Sequence, residues 1–315
     1  MKFNLISSDT NGWSDGVTWD QLFRHMPVGN DIPVVVTVTH GGFKFNHDLN
    51  QLAGKKYVHI DYTEWGWQWD FTKSNVFGES EHYPGESKSH EWGTLHGFIR
   101  DNPPALTFQR ELRKVDVTPT RVPIDFLSTI PVPKLVTKAE YDSRPFQVFY
   151  YWGFSHANRS RIHGDIFEAF GTSNIEVVDG YDKVDWKWLR KDGRVWLTVF
   201  SPHWWRRPMK EVMSWQAQAK ISICPYGAGA KAFRHAEAPV NCIMAQQENC
   251  LAWSYPWDET NSVRMQEPHE VKDLLRAVER TDLYDVYLRA QENIDRYRIH
   301  RYLPEYIVPN IERVW

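Results

Sequence analysis

Apolar residues follow two rhythms along this chain. Through the first third they come in short unbroken runs: "MKFNLISS" at 1–8, "IPVVVTVTHGG" at 32–42, "KKYVHIDYTEWGW" at 55–67 and "ALTFQREL" at 105–112. Runs rich in β-branched residues and of this length belong to strands covered on both faces, as in parallel sheets. Between the first two, "TWDQLFRHM" with Thr18 as its cap predicts a helix, so the chain opens as an α/β domain. Residues 117–134 then hold Pro119, Pro123, Pro131 and Pro133, a density that sustains neither helix nor central strand and predicts a linker. Beyond it the alternation resumes, with strands at 146–153, 174–180, 194–201, 220–226 and 242–247 and helices at 157–171 and 208–219. From Glu270 the apolar spacing becomes helical, in "EVKDLLRAVE" and in the long run that starts at Leu283. The pattern predicts two α/β domains, 1–133 and 134–315, with parallel sheets facing across a cleft and a C-terminal helical tail. Such sheets bind ligands at the carboxyl ends of their strands.

Composition narrows the partners. With 37 Lys+Arg against 40 Asp+Glu the formal charge is -3, which removes a basic coat over the whole chain but not a local basic face. Cys224, Cys242 and Cys250 are odd in number and show no C-x-x-C spacing, so neither a disulfide framework nor a zinc site is indicated. No apolar run approaches the roughly 18–20 residues of a membrane span, and the first residues do not form a signal peptide. The expectation is a soluble protein of the reducing cytoplasm. Sixteen tryptophans are far more than ordinary usage. Their flat faces suit sugar rings, nucleobases and cations, although any one of them can equally fill a core.

"ISICPYGAGAKAFRHAEAP", residues 221–239, is a strand, a glycine turn and a helix, and three readings fit it. Gly227, Gly229 and Ala232 match a G-x-G-x-x-A dinucleotide fingerprint, with Glu248 placed to meet a ribose. A phosphate carried by any nucleotide can also settle on turned main-chain amides at a helix start, with Lys231 and Arg234 supplying charge and Glu237 accepting from a hydroxyl. Thirdly, the glycines can serve a tight turn while Arg234 and Glu237 pair on the surface. A kinase-type P-loop fails, because no G-K-S or G-K-T follows.

"CPYGAG", then "FRHAEAP" and a new strand, preceded by "FQVFYYWGFSHANRSRI" and by "LTFQRELRK" before the prolines, resembles the donor-binding domain of GT-B glycosyltransferases, notably the exostosin-like branch and related bacterial and phage proteins. The likeness runs from about Ala105 to Glu312 and is strongest from Ser222 to Glu259. It implies two Rossmann-like domains, a nucleotide-diphosphate sugar as co-substrate and no further cofactor. The donor site it implies comprises Tyr226, Gly227, Gly229, Lys231, Arg234 and Glu237, with Arg234 on the phosphates and Glu237 on the ribose or donor sugar. A second glutamate eight positions after Glu237, as in one retaining subgroup, is replaced by Ala245.

The rest of the chemistry is read from position. "DYTEW" and "DGYDKVDW" are poor versions of a metal-binding D-x-D loop, so no metal is expected and positive side chains take the departing diphosphate. A general base is sought at strand ends of the first domain: Asp61, with His40 as runner-up, and Asp9, Asp15 and Glu64 on the acceptor side. Each of these is also a common turn or cap residue. Between Lys187 and Lys220 eight Lys+Arg face two acidic residues, and Arg206 in "HWWRR" is in reach of the donor phosphates. Interleaved Trp and Arg could also grip nucleic acid, and together with this the resemblance to phage proteins implies a hydroxymethylated base of phage DNA as one acceptor, reached by flipping the base out. Glycan, lipid-linked sugar and protein hydroxyl acceptors stay open, as does a non-catalytic binding module of the same fold. In "AWSYPWDET", 252–260, Tyr255, Trp257, Asp258 and Glu259 are expected near the donor sugar, with core packing as the plainer alternative. Nothing in the chain specifies an oligomeric state.

Overall fold

The computed structural model describes residues 1–7, 20–37, 49–62, 98–99, 101–128, 130–131, 134–153, 157–170, 175–177, 185–191, 194–201, 208–225, 231, 234–247 and 251–315. Strands β1 (Phe3–Ser7), β2 (Ile32–Thr37), β3 (Val58–Asp61), β4 (Leu106–Gln109) and β5 (Arg121–Pro123) form the first sheet in simple chain order. Every pairing in it is parallel. Register brings Val36, Ile60, Phe108 and Val122 to one face, where they are buried with Leu22 and Met26 from the helix α1 (Asp20–His25) and its end. The opposite face carries Val35, packed on Leu49, Leu52 and Tyr57, and a polar set in which His59, Thr107 and Arg121 share one register and Asp61 and Gln109 the next.

β5 lies inside the segment expected to be only a linker. Its place at the sheet edge explains how a proline fits. Pro123 has no N–H to give, and an edge strand needs its donors on one side only.

Among the described residues the second sheet has seven strands, in the order β12-β11-β10-β6-β9-β8-β7. They are β6 (Phe146–Gly153), β7 (Ile175–Val177), β8 (Asp185–Lys191), β9 (Arg194–Ser201), β10 (Ala219–Cys224), β11 (Ile243–Gln247) and β12 (Val263–Met265). The run from β12 to β9 is parallel, while β8 and β7 extend it antiparallel. β8 is absent from the expected strands. Its alternating "DWKW" and the Asp192-Gly193 pair before β9 are nevertheless a hairpin signal.

Helices close both layers. α2 (Lys138–Asp142) starts at a capping box: Glu140 N donates to Thr137 Oγ1 at 3.3 Å, and Thr137 N donates to Glu140 Oε2 at 2.6 Å. α3 (Ala157–Phe170) and α4 (Met209–Gln216) follow β6 and β9, and α5 (Arg234–Glu237) is a single turn after β10. α6 (Glu270–Val278) buries Val271, Leu274 and Ala277 on one stripe. In α7 (Leu283–Arg296) the buried stripe is shared between domains. Leu283, Val286 and Tyr287 pack in the second-sheet core, whereas Ala290 and Ile294 join the core under the first sheet. α8 (Ile299–Tyr302), a π-turn over Leu303–Ile307 and α9 (Val308–Val314) then carry Tyr302, Ile307 and Ile311 into that same core. The fold is α/β, with two Rossmann-like domains and C-terminal helices that return to the first. No helix among the described residues is long and apolar enough to cross a membrane.

Candidate functional site at the carboxyl edge of the second sheet

The chain leaves β6, builds β7 to β9 on one side of it, and then crosses to β10 on the other. A reversal of strand order opens a crevice at the carboxyl ends of the two strands concerned, the usual ligand site of open α/β sheets. Arg234 stands there. Its guanidinium lies 5.2 Å from the ring centre of Tyr151, near the end of β6, and 2.8 Å from the Glu237 carboxylate. The Arg234–Glu237 pair is not the surface bridge that its spacing suggests, because the side chains are only 17% and 5% exposed. Glu237 therefore orients the guanidinium in a poorly solvated place, where a charge interaction is stronger than in water.

Lys231, expected on the donor phosphates, is committed elsewhere. Its Nζ is 2.5 Å from Asp125 Oδ1, with the two side chains 1% and 3% exposed. It also donates to the Ile124 carbonyl at 3.4 Å and lies 4.7 Å from the Trp253 ring centre. Burial pushes the Lys231 pKa down and Asp125 opposes the shift. The second Asp125 oxygen accepts from Ser254 N at 2.7 Å. The pair thus ties the segment after β5 to the loops after β10 and β11.

Beside it lies a pocket of about 460 Å³, within the roughly 300–1,000 Å³ of small-molecule sites. Gln246 and Gln247 at the end of β11, Trp253, Trp257 and Asp258 in the loop beyond, and Arg264 of β12 form most of its wall. Lys114 and Val117 of the first domain complete it. They are held there by main-chain contacts across the domains: Ala252 N donates to Leu112 O at 2.7 Å, and Arg113 and Leu251 form an antiparallel bridge.

A polar network supports the floor. Asn158 Nδ2 donates to Gln247 Oε1 at 2.7 Å, and Gln247 Nε2 donates to Asn158 Oδ1 at 3.1 Å and Glu270 Oε1 at 3.2 Å. Arg161 donates to both Glu270 oxygens, at 2.5 and 3.2 Å. Burial pushes the Glu270 carboxyl up, but the hydrogen bonds from Arg161, its own main chain and Gln247, together with the Arg161 charge, outweigh it and hold the pKa below the ordinary value.

Of the residues singled out in the sequence, Arg234 and Glu237 pair at this edge, Lys231 pairs with Asp125 instead, and Trp257 and Asp258 line the pocket. Tyr255 points to the helical tail instead: its ring centre is 5.5 Å from that of Tyr297 and 5.6 Å from that of Tyr306. Asp61 ends β3 at the carboxyl edge of the first sheet and is 6% exposed. His40, Asp9, Asp15, Glu64, Arg206, Tyr226, Gly227 and Gly229 lie outside the described residues. Sequence reading missed Asp125, Gln246, Arg161 and Glu270. Only the "QQ" that closes a predicted strand marked a polar strand end. Among the described residues no three His, Cys, Asp or Glu side chains gather as metal ligands would. No protein-family model matches the chain, and no curated protein matches it.

Proposed function

We propose that the protein is a two-domain glycosyltransferase of the GT-B type that moves a sugar from a nucleotide-diphosphate sugar to an acceptor hydroxyl without needing a metal. The observation that carries the reading is Arg234, oriented by Glu237 and Tyr151 at the strand-order reversal of the second sheet. A fixed guanidinium there would take the charge that develops on a departing diphosphate. The pocket beside it would take the sugar, with Trp257 and Asp258 in its wall. Asp61, at the corresponding edge of the first sheet, is the base we assign to the acceptor hydroxyl.

A glycan or other small acceptor suits this arrangement better than duplex DNA. Lys187, Arg190, Lys191 and Arg194 fall on the β8–β9 hairpin. β8 stands four strand spacings from β11, roughly 19 Å at ~4.8 Å each, so DNA gripped there would have to present a flipped base well across the sheet.

Thermal unfolding with UDP-, GDP- and ADP-sugars, NAD and NADP tests the reading. A ligand present at 100 times its Kd adds roughly 2.7 kcal/mol. At least one nucleotide sugar should stabilise the protein, and Arg234→Ala should abolish that gain together with slow donor hydrolysis. Stabilisation by NAD alone would sink the proposal, and binding of a nucleotide sugar with no hydrolysis or transfer would leave a binding module.

A further inference from the structure

Ala252, Trp253, Pro256, Trp257 and Asp258 of the pocket wall belong to one loop, and that loop is held largely from outside the second sheet. Ser254 N donates to Asp125 Oδ2 at 2.7 Å, so the carboxylate after β5 fixes the peptide that joins Trp253 to Ser254. Ser254 Oγ donates to Pro123 O at 3.3 Å and lies 2.5 Å from Tyr302 Oη, which accepts from Asp125 N at 3.3 Å. Asp125 therefore meets Ser254 twice, through its carboxylate and through Tyr302. Its other oxygen holds Lys231 Nζ, which stands 4.7 Å from the Trp253 ring centre. Further along, Trp257 stacks on Tyr297 of the helical tail, with ring centres 5.8 Å apart and planes 10° from parallel, and Pro256 O accepts from Asn293 Nδ2 of α7 at 3.1 Å. Behind the two indoles, among Asp125, Lys231 and Tyr297, a cavity of only about 10 Å³ stays empty, no more than one water needs. Packing this close transmits a shift in the support to the wall it supports.

We propose that Asp125 is a positioning residue for the ligand pocket. Its Oδ2 fixes the Trp253–Ser254 peptide and with it the indole wall, so a residue after the last strand of the first sheet sets ligand affinity at the second. Lys231 serves this arrangement by satisfying Asp125, not by touching the ligand. The inference rests on the nucleotide-sugar reading only for the choice of ligand probes. It goes further in making the pocket a joint product of the two domains.

Two double variants separate positioning from general stability. Asp125→Leu with Lys231→Met removes both charges and the acceptor of Ser254 N, whereas Asp125→Asn with Lys231→Met removes both charges and keeps an oxygen for that amide. Each protein carries 5-fluorotryptophan, and its fluorine NMR signals are assigned with Trp253→Phe and Trp257→Phe. The Trp253 signal should move in the Leu/Met protein and stay near its wild-type position in the Asn/Met protein. Calorimetry with UDP-glucose, GDP-mannose and ADP-glucose supplies the second readout. Any probe that binds the wild type should bind the Leu/Met protein at least roughly tenfold more weakly, the affinity equivalent of one hydrogen bond to a charged group, and the Asn/Met protein within about threefold. An unmoved Trp253 signal in the Leu/Met protein, a moved signal with undiminished affinity, or equal losses in both double variants would overturn the inference, the last because the charge pair and not the amide acceptor would then matter. If none of the three probes binds the wild type, the glycosyltransferase reading fails for these donors, and the fluorine signals alone decide on Asp125.

Discussion

Removing one charge from the Lys231–Asp125 pair strands the other where it is 1% or 3% exposed. Breaking such a pair costs about 3–5 kcal/mol, whereas replacing both partners by apolar groups is often neutral. Lys231→Met and Asp125→Leu should therefore each lower stability by that order, and the double variant should recover most of it. Chemical denaturation of the four proteins checks this, and additive losses would show that the two charges do not compensate each other. Lys231 looked like a phosphate ligand in the sequence because it follows the glycines. Its carboxylate partner lies beyond the first sheet, and no local spacing links the two. His59 makes a second residue-scale case. Burial pushes its pKa down from 6.5, with Arg121 adding to the shift and Asp61 opposing it. The native state therefore keeps His59 neutral while the unfolded chain takes up a proton below about pH 6.5. The native state binds fewer protons there, so stability rises with pH through that window and falls on acidification. His59→Gln should flatten the loss measured by urea denaturation between about pH 7.5 and about pH 5.5. An unchanged slope would assign it to other groups.

Elements were legible where one period ruled a whole segment. The stripe Leu283, Val286, Tyr287, Ala290, Ile294 is read directly as a helix face. Its assignment to two cores is not, since periodicity says which face is buried and not against what. β5 was hidden by Pro123 and the prolines around the strand, which rule out a central strand but not an edge one. β8 was hidden by its charges, although alternation was visible in its tryptophans. The helical tail was expected, but not its role as cover for the first sheet. Tyr302, Ile307 and Ile311 are fully buried there. Full burial of a large apolar side chain stabilises by about 1.5–3 kcal/mol, against a total of roughly 5–15 kcal/mol for a folded protein. Deleting residues 299–315 should therefore abolish cooperative unfolding of the whole chain as followed by near-UV circular dichroism. A truncated protein that melts as sharply as the full chain would show that the first sheet needs no such cover.

For the whole molecule, the amino-acid sequence by itself determined that strands and helices alternate, that the architecture is α/β, and that Lys231 and Arg234, three residues apart, follow a strand of the second unit. These are local matters of apolar period and turn chemistry, set within a dozen residues. Tertiary structure alone decided the strand order that puts Arg234 at a crevice, and the burial of the Lys231–Asp125 pair between the sheets. It also decided the meeting of Lys114 with Gln246 and Arg264 around one pocket, and the return of the last helices to the first sheet. The reason is physical. Contacts between distant segments are chosen by which apolar faces and charges can leave water together, and that choice belongs to the whole chain, not to any window along it.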